Sequence, residues 1–314
     1  MLEWHQIHHI VLNTNLYKAF GINWYSKQLL LPELKLSNNN SQDIVNVFFE
    51  DKKIWPKISS NKWNTNFIEF ANNDLRLKIP NLASFRVNNG DKISIHRENE
   101  KVSDNDIRTF LLGSIFGGIL IQREMLLLHA NALSKDGQAI LFMGHSGDGK
   151  STLAYNLMKK GWKLLSDDLV AINSKFEVLP GIPRIKLWQD SITEFKLDMF
   201  KLPLVRENIN KYLLMNENIE VEESKLPLKT LYVINRSSED SLLNSRQFVN
   251  EKSYAMKLLL TYCYRNRFIK GLGKEKIIFL KIANLVNEKK IMIANIPNNI
   301  KKIDQWINMN NLLD

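Results

Sequence analysis

The stretch Ala139-Ile140-Leu141-Phe142-Met143-Gly144-His145-Ser146-Gly147-Asp148-Gly149-Lys150-Ser151-Thr152 decides how this chain is read. Its apolar start reads as a buried strand, and the run after it has the G-x-x-x-x-G-K-[ST] spacing of a phosphate-binding loop. Glycines let the backbone curl so that successive N–H groups face a polyphosphate, and the start of the following helix adds partial positive charge. The spacing therefore assigns Gly144, His145, Ser146, Gly147, Asp148, Gly149, Lys150, Ser151 and Thr152 to a nucleoside triphosphate, ATP in the simplest case. Lys150 is expected to bridge the β- and γ-phosphates from an exposed loop position, and Ser151 to ligate Mg2+. A chance glycine-rich turn is the plain alternative; the strand before and the helix after argue against it.

Working outward, a helix is predicted from Lys150 to about Lys160, with Leu153, Leu157 and Met158 on one face and Gly161 as its stop. Trp162 to Ser166 reads as the next strand and carries Asp167-Asp168 to its carboxyl end, where ligands of open α/β sheets bind. One carboxylate would hold magnesium while the other accepts a proton from an attacking hydroxyl; a solvated turn or a helix cap is the competing reading. Upstream, Leu126 to Leu133 reads as a single buried strand with His129 inside it. Chemistry alone leaves His129 open between a packed core histidine and a functional one. His5, His8 and His9 have helical spacing, but no carboxylate completes a metal site around them.

The rest of the chain frames this core. Residues 1–102 hold short β-type runs, among them Ile44 to Phe49, Asn66 to Phe70 and Lys92 to Ile95, separated by Asn-rich turns. They predict a small β-rich N-terminal domain ahead of a domain spanning 103–314. Ser103 with Asp106 resembles a helix start, and that helix is expected to run through Leu120. Later elements are a strand over Leu228 to Ile234, a helix over Tyr254 to Tyr264, a strand over Lys290 to Ile293 and an amphipathic helix from Ile300 to Leu313.

Composition excludes several classes. The 314 residues are 44% hydrophobic and 24% charged, the balance of a globular protein with a sizeable core. The single cysteine, Cys263, rules out an intramolecular disulfide and any cysteine-based zinc site. With no basic and apolar leader at the N-terminus, it points to the cytoplasm. The most apolar stretch, Phe110 to Ile121, is too short to cross a bilayer, so no membrane partner is expected. A net charge of +10 would suit nucleic acid, yet no arginine-aromatic cluster or nucleic-acid motif accompanies it, and none is expected to bind. Nothing fixes the oligomeric state, and a homo-oligomer is left open.

The segment from Leu127 to Ile172 resembles the catalytic core of the HPr kinase/phosphorylase family. The likeness rests on His129 in the strand before the loop, the G-x-S-G-x-G-K-S run from Gly144 to Ser151, Lys160-Gly161 closing the helix, and Asp167-Asp168. The short spacing between loop and acidic pair is shared with the related phosphoenolpyruvate carboxykinases. The chain is similar more closely still to the HPr-kinase-like proteins of lasso-peptide gene clusters. Those matches are Leu128-His129-Ala130-Asn131-Ala132, the Pro180 to Trp188 segment and Tyr264-Arg265.

The resemblance implies an α/β fold, an HPr-kinase/PEP-carboxykinase-like P-loop core with the β-rich N-terminal domain attached. It implies an ATP- and Mg2+-dependent serine kinase acting on the C-terminal serine of a lasso-peptide precursor. In that scheme Asp167 is the general base, with His129 beside it tuning its protonation. Asp168 and Ser151 hold the metal, Lys150 serves the phosphates and Arg265 stabilises the transferring phosphoryl group. Arg184, Lys186 and Arg265 are the candidate cations for the acceptor's carboxylate. The family's Glu-x-Arg-Gly metal segment and its bifunctional signature have no counterpart here, so phosphorylase activity is not implied. Competing expectations are an HPr-type protein serine kinase, a small-molecule hydroxyl kinase, and a nucleotide-binding regulatory module without phosphoryl transfer.

Overall fold

The computed structural model describes residues 15–38, 43–206, 209–215, 219–237 and 246–312; the His5, His8 and His9 group lies outside them. The chain divides into two compact units. One holds the residues up to Met125 together with Arg265–Ile278; the other holds Leu126–Tyr264 with Phe279–Asp314.

The first unit is built on an eight-stranded sheet. Its strands are β1 (Leu16–Ala19), β2 (Ile22–Ser26), β3 (Lys35–Leu36), β4 (Ile44–Phe49), β5 (Ile68–Ala71), β6 (Asp74–Ile79), β7 (Ala83–Asn88) and β8 (Lys92–Arg97), in the order β3-β1-β2-β4-β8-β7-β6-β5. Side chains alternate across a strand, so Phe85 and Val87 on β7 and Ile93 and Ile95 on β8 go into the core together. The Ser103 hydroxyl accepts from the Asp106 N–H at 3.1 Å and starts the helix Asp104–Phe110. A wider turn over Leu111–Ile115 passes into the helix Phe116–Gln122.

That apolar helix packs directly on the sheet. Phe116 stacks on Trp24 at 3.6 Å between ring centroids, and a Cβ on Gly118 would come within 2.6 Å of Leu75 Cδ2. Burying each such aliphatic or aromatic side chain contributes about 1.5–3 kcal/mol. This packing puts the helices in the same compact unit as the β-rich residues, whose first stretch runs to Met125 rather than to 102. A later piece, Arg265–Ile278, is also part of it, and a Cβ on Gly271 would meet the Phe70 ring at 2.4 Å. No helix among the described residues is long and apolar enough to cross a membrane.

The second unit is a mixed α/β structure. Its strands are β9 (Leu126–Leu128), β10 (Ala130–Lys135), β11 (Gln138–Met143), β12 (Lys163–Asp167), β13 (Val170–Ile172), β14 (Glu177–Val178), β15 (Arg184–Trp188), β16 (Leu204–Arg206), β17 (Ile209–Met215), β18 (Leu226–Ser237), β19 (Arg246–Phe248) and β20 (Lys290–Pro297). The main sheet runs β12-β10-β11-β18-β14-β13-β9, with β20 also on β18 and β19 on β20. β10 is antiparallel to both β11 and β12, so those two run the same way, and β18 is parallel to β11. The carboxyl ends of β11, β12 and β18 therefore emerge along one edge of the sheet. A separate sheet, β15-β17-β16, flanks that edge.

The helix Lys150–Met158 packs Leu153 and Leu157 into a core shared with Ile185 and Leu187 of β15 and with Ile303 and Trp306 of the last helix, Ile300–Met309. Gly161 ends its turn with φ 81°, a left-handed conformation that glycine adopts without penalty. Cys263 is buried, and burial pushes its thiol up to about 12, so it remains a thiol under ordinary conditions.

Candidate phosphate-transfer site

The glycine loop stands where the sequence puts it, between β11 and the helix Lys150–Met158, with φ 96° at Gly147 and 89° at Gly149. The loop folds back on its own lysine: Lys150 Nζ donates to the carbonyls of Gly144 at 2.7 Å and His145 at 2.9 Å. Lys150 is 7% exposed, which corrects the expectation of an exposed loop residue. The carbonyls that curl around it supply the oxygen partners a buried ammonium needs. Burial lowers its pKa, opposed by the charges of Asp168, Asp167 and Asp148. The Asp148 carboxylate accepts from the His145 N–H inside the loop. Thr152 is buried in the first turn of the helix, its hydroxyl 2.8 Å from Ser191 Oγ, so its side chain serves packing.

β12 delivers the acidic pair to the same edge. Asp167 pairs in register with Asn131 of β10, and Asp168 follows in a left-handed turn with φ 73°. The turn is closed by Ser166 Oγ donating to the Leu169 carbonyl at 2.5 Å. Ser151 Oγ donates to Asp167 Oδ1 at 3.3 Å, and the Lys186 backbone N–H donates to Asp167 Oδ2 at 3.1 Å. Asp168 meets His129 Nδ1 at 3.0 Å through Oδ1 and Lys186 Nζ at 2.8 Å through Oδ2.

Two corrections to the sequence reading follow. The expected single strand from Leu126 to Leu133 is two, because the chain changes neighbours at His129: β9 pairs with β13, while β10 pairs with β11 and β12. The His129 N–H goes to the Tyr262 carbonyl at 2.8 Å, and its ring faces the acidic pair. There it sits on Asp168, rather than beside Asp167 as expected.

The environments push the two carboxylates apart. Burial raises the Asp167 pKa, with Lys186 opposing and the Asp168 charge adding to the rise. Burial works on Asp168 too, but the Lys186 charge and the His129 contact hold it well below the usual carboxylate range.

Four further groups of the cleft escaped the sequence reading of the catalytic set. Asn131, 1% exposed, reaches Ser151 Oγ at 3.4 Å through its Nδ2, and its Oδ1 has no hydrogen-bond partner. Lys186, noted only as a cation for an acceptor, is bound to Asp168. Lys211 of β17 faces the cleft, its ammonium 5.1 Å from the Trp188 ring centroid. Arg236, near the end of β18, lies against Gly149: a Cβ there would fall 2.5 Å from Arg236 Nη2. Its Nη1 is held by the carbonyls of Pro297 at 2.7 Å and Asn298 at 3.2 Å. The strand expected over Leu228 to Ile234 was the readable signal near Arg236, and its parallel pairing with β11 sends both strand ends to one edge. Lys211 gave none.

Together these residues line a cleft of about 340 Å³. A roomier trough of about 760 Å³ lies in the first unit around Trp63 and Lys270, with neither a phosphate loop nor an acidic pair at a strand end. Arg265 also belongs to the first unit, heading the short helix Asn266–Gly271 with φ 52°. Arg184 is buried at 6% exposure on β15.

The donor set fits a hard divalent cation. Ser151 Oγ and the orphaned Asn131 Oδ1 are oxygens grouped on neighbouring chain segments beside the acidic pair, the chemistry magnesium prefers over nitrogen or sulfur. The loop fits a polyphosphate, because Gly147 and Gly149 occupy left-handed conformations that expose backbone N–H groups and Lys150 sits at its centre.

No protein-family model matches the chain, and no curated protein matches it in sequence. Among solved structures it is similar to the Hpr(Ser) kinase/phosphatase from Coxiella burnetii, at 11% identity and a TM-score of 0.29, over 58% of this chain and 93% of that one. So loose a superposition decides nothing about activity.

Proposed function

We propose that this protein is an ATP- and Mg2+-dependent serine kinase, acting on the C-terminal serine of a precursor peptide of the lasso-peptide type. The observation that carries the phosphotransferase reading is the convergence of Lys150, Ser151 and the Asp167-Asp168 pair in one cleft, with Ser151 Oγ 3.3 Å from Asp167. A sensor of nucleotide would need the loop; it has no use for two half-buried carboxylates opposite it.

In this reading the loop backbone and Lys150 bind and orient the β- and γ-phosphates, and Arg236 braces the loop at Gly149. Ser151 and Asp168 would hold magnesium, which would supply neutralisation of charge on the phosphates. Asp167 takes the proton of the acceptor hydroxyl. Asp168, kept ionised by Lys186 and His129, serves as the fixed charge of the pair. The Ser151 contact, which links Asp167 to the metal side, pulls against this division. A hydroxyl hydrogen bond rearranges readily, whereas the burial of Asp167 is built into the sheet, so burial is the better guide.

The test is mass spectrometry of a serine-terminated precursor peptide after incubation with enzyme, magnesium and ATP, alongside the same peptide ending in alanine. Phosphate only on the serine peptide supports the proposal. Phosphate on HPr or free serine instead, or equal labelling of both peptides, overturns the terminal-serine acceptor.

A further inference from the structure

The flanking sheet β15-β17-β16 has two faces of opposite character. Ile185 and Leu187 of β15 and Leu214 of β17 point into the core. The intervening positions carry Lys186 and Trp188, and Lys211 stands opposite Trp188 in the register. Directly paired residues of an antiparallel ladder share a face, so Lys186, Trp188 and Lys211 present themselves together. All line the cleft that holds the acidic pair.

The cations of this cleft can be assigned one by one. Lys150 is wrapped by loop carbonyls, and Arg236 is fixed to Pro297 and Asn298 against Gly149, so both belong to the nucleotide end. Lys186 is paired with Asp168 at 2.8 Å. Lys211 alone makes neither a side-chain hydrogen bond nor an ion pair among the described residues. It is half-buried, and its ammonium lies over the Trp188 ring, itself 47% exposed. A partly desolvated ammonium without a directly bonded counter-ion is costly: burial lowers the Lys211 pKa, and the more distant charges of Asp167 and Asp168 only oppose that. A ligand that brings one negative charge removes that cost.

Resting on the kinase reading above, we infer that Lys211 is the acceptor-specificity residue: it binds the carboxylate of a hydroxyl acceptor, while Trp188 forms the apolar shelf for the part of the acceptor preceding it. The geometry favours a single carboxylate over a phosphate group. Only one cation is unengaged on this wall, and the acidic pair in the same cleft would repel a dianion more strongly than a single carboxylate. It also reassigns the acceptor's counter-charge, which the sequence placed on Arg184, Lys186 and Arg265; the first is buried, the second already holds Asp168 and the third belongs to the first unit. A C-terminal serine suits this wall, because its carboxylate lies within a few bonds of the hydroxyl that must reach Asp167.

The experiment compares a peptide ending in serine as the free acid with its C-terminal amide, using the full chain, wild type and Lys211→Gln, with Lys211→Arg as the charge-retaining control. Mg-ATP binding is measured separately by calorimetry on each. A charge-assisted hydrogen bond to a carboxylate predicts that wild type prefers the acid by about 10- to 100-fold in kcat/KM, chiefly through KM. Lys211→Gln should bring the acid-to-amide ratio close to one, and Lys211→Arg should restore much of it. Equal use of acid and amide by wild type, or a Lys211→Gln loss of the same size on both, overturns the inference; the latter would move Lys211 to the phosphoryl group. If wild type binds Mg-ATP but phosphorylates neither peptide, the acceptor and the role of Lys211 fall together while the nucleotide site stands. Failure to bind Mg-ATP at all would instead refute the kinase reading itself.

Discussion

The two walls of the cleft are made in opposite ways. The loop wall, Gly144 to Ser151, is one unbroken segment whose chemistry follows from its own glycines, lysine and serine. The strand wall, Lys186, Trp188 and Lys211, comes from two strands whose partnership is set by core residues on their far face. The loop wall is therefore defined by local backbone conformation, and the strand wall by register. Substitutions on the first should act on nucleotide chemistry, and those on the second on the acceptor and the ionisation of the acidic pair.

The largest effect is expected where the walls meet. Asp167→Asn should lower kcat about a hundred- to ten-thousand-fold, the range for loss of a general base, while Mg-ATP binding stays near normal. Asp168→Asn should weaken magnesium-dependent nucleotide binding instead. Titration of Mg-ATP against both variants checks the division, and matching binding defects would mean that the carboxylates act as one unit.

Next comes the loop wall alone. Lys150→Ala should reduce phosphoryl transfer about a hundred- to a thousand-fold, as removal of a preorganised cation aimed at developing charge does. Because Lys150 is buried and bonded to the Gly144 and His145 carbonyls, alanine also leaves those groups unpartnered. Lys150→Arg separates charge from loop integrity, with circular dichroism as the fold control. Near-normal turnover in a folded Lys150→Ala protein would remove the phosphate-loop assignment.

A smaller effect tests how the loop is braced. Gly149→Ala places a methyl 2.5 Å from Arg236 Nη2 at a residue with φ 89°, and the left-handed conformation alone costs about 1–2 kcal/mol for a residue with a Cβ. Weaker ATP binding by about ten-fold is the expected outcome in calorimetry. Arg236→Ala in the same chain should recover only the share due to the clash; full recovery would show that backbone strain contributes nothing.

This contrast also explains what the sequence could disclose. The loop, its strand and helix, and the acidic pair were legible because each is local: apolar runs of strand length, glycines at fixed offsets, aspartates at a strand end. The split at His129 was not legible, since the run Leu126 to Leu133 is apolar throughout and the break arises from a change of sheet neighbours. The extent of the first compact unit was not legible for a related reason: the helix Phe116–Gln122 is apolar, and only its packing against Leu75 and Trp24 says which sheet it serves. Lys211 was invisible because nothing distinguishes it from the other basic residues of a lysine-rich chain until β17 is laid beside β15.

The smallest effect at neutral pH, and the sharpest probe of the strand wall, is Lys186→Met. Lys186 Nζ lies 2.8 Å from Asp168 Oδ2, and its charge is the chief influence holding the Asp168 carboxyl below its ordinary range against burial. With the charge removed, His129 remains at Oδ1 but burial is opposed less, so the Asp168 pKa must rise. A carboxylate needed in its ionised form loses function as pH falls through its pKa. The acid limb of the kcat/KM profile should therefore move to higher pH, with activity only a few-fold lower near neutrality and far lower in mild acid. Lys186→Arg should keep the wild-type profile, because the charge persists even if the packing changes. An acid limb that stays in place in Lys186→Met would mean that Asp168 is held ionised by His129, and that the strand wall acts on the acceptor alone.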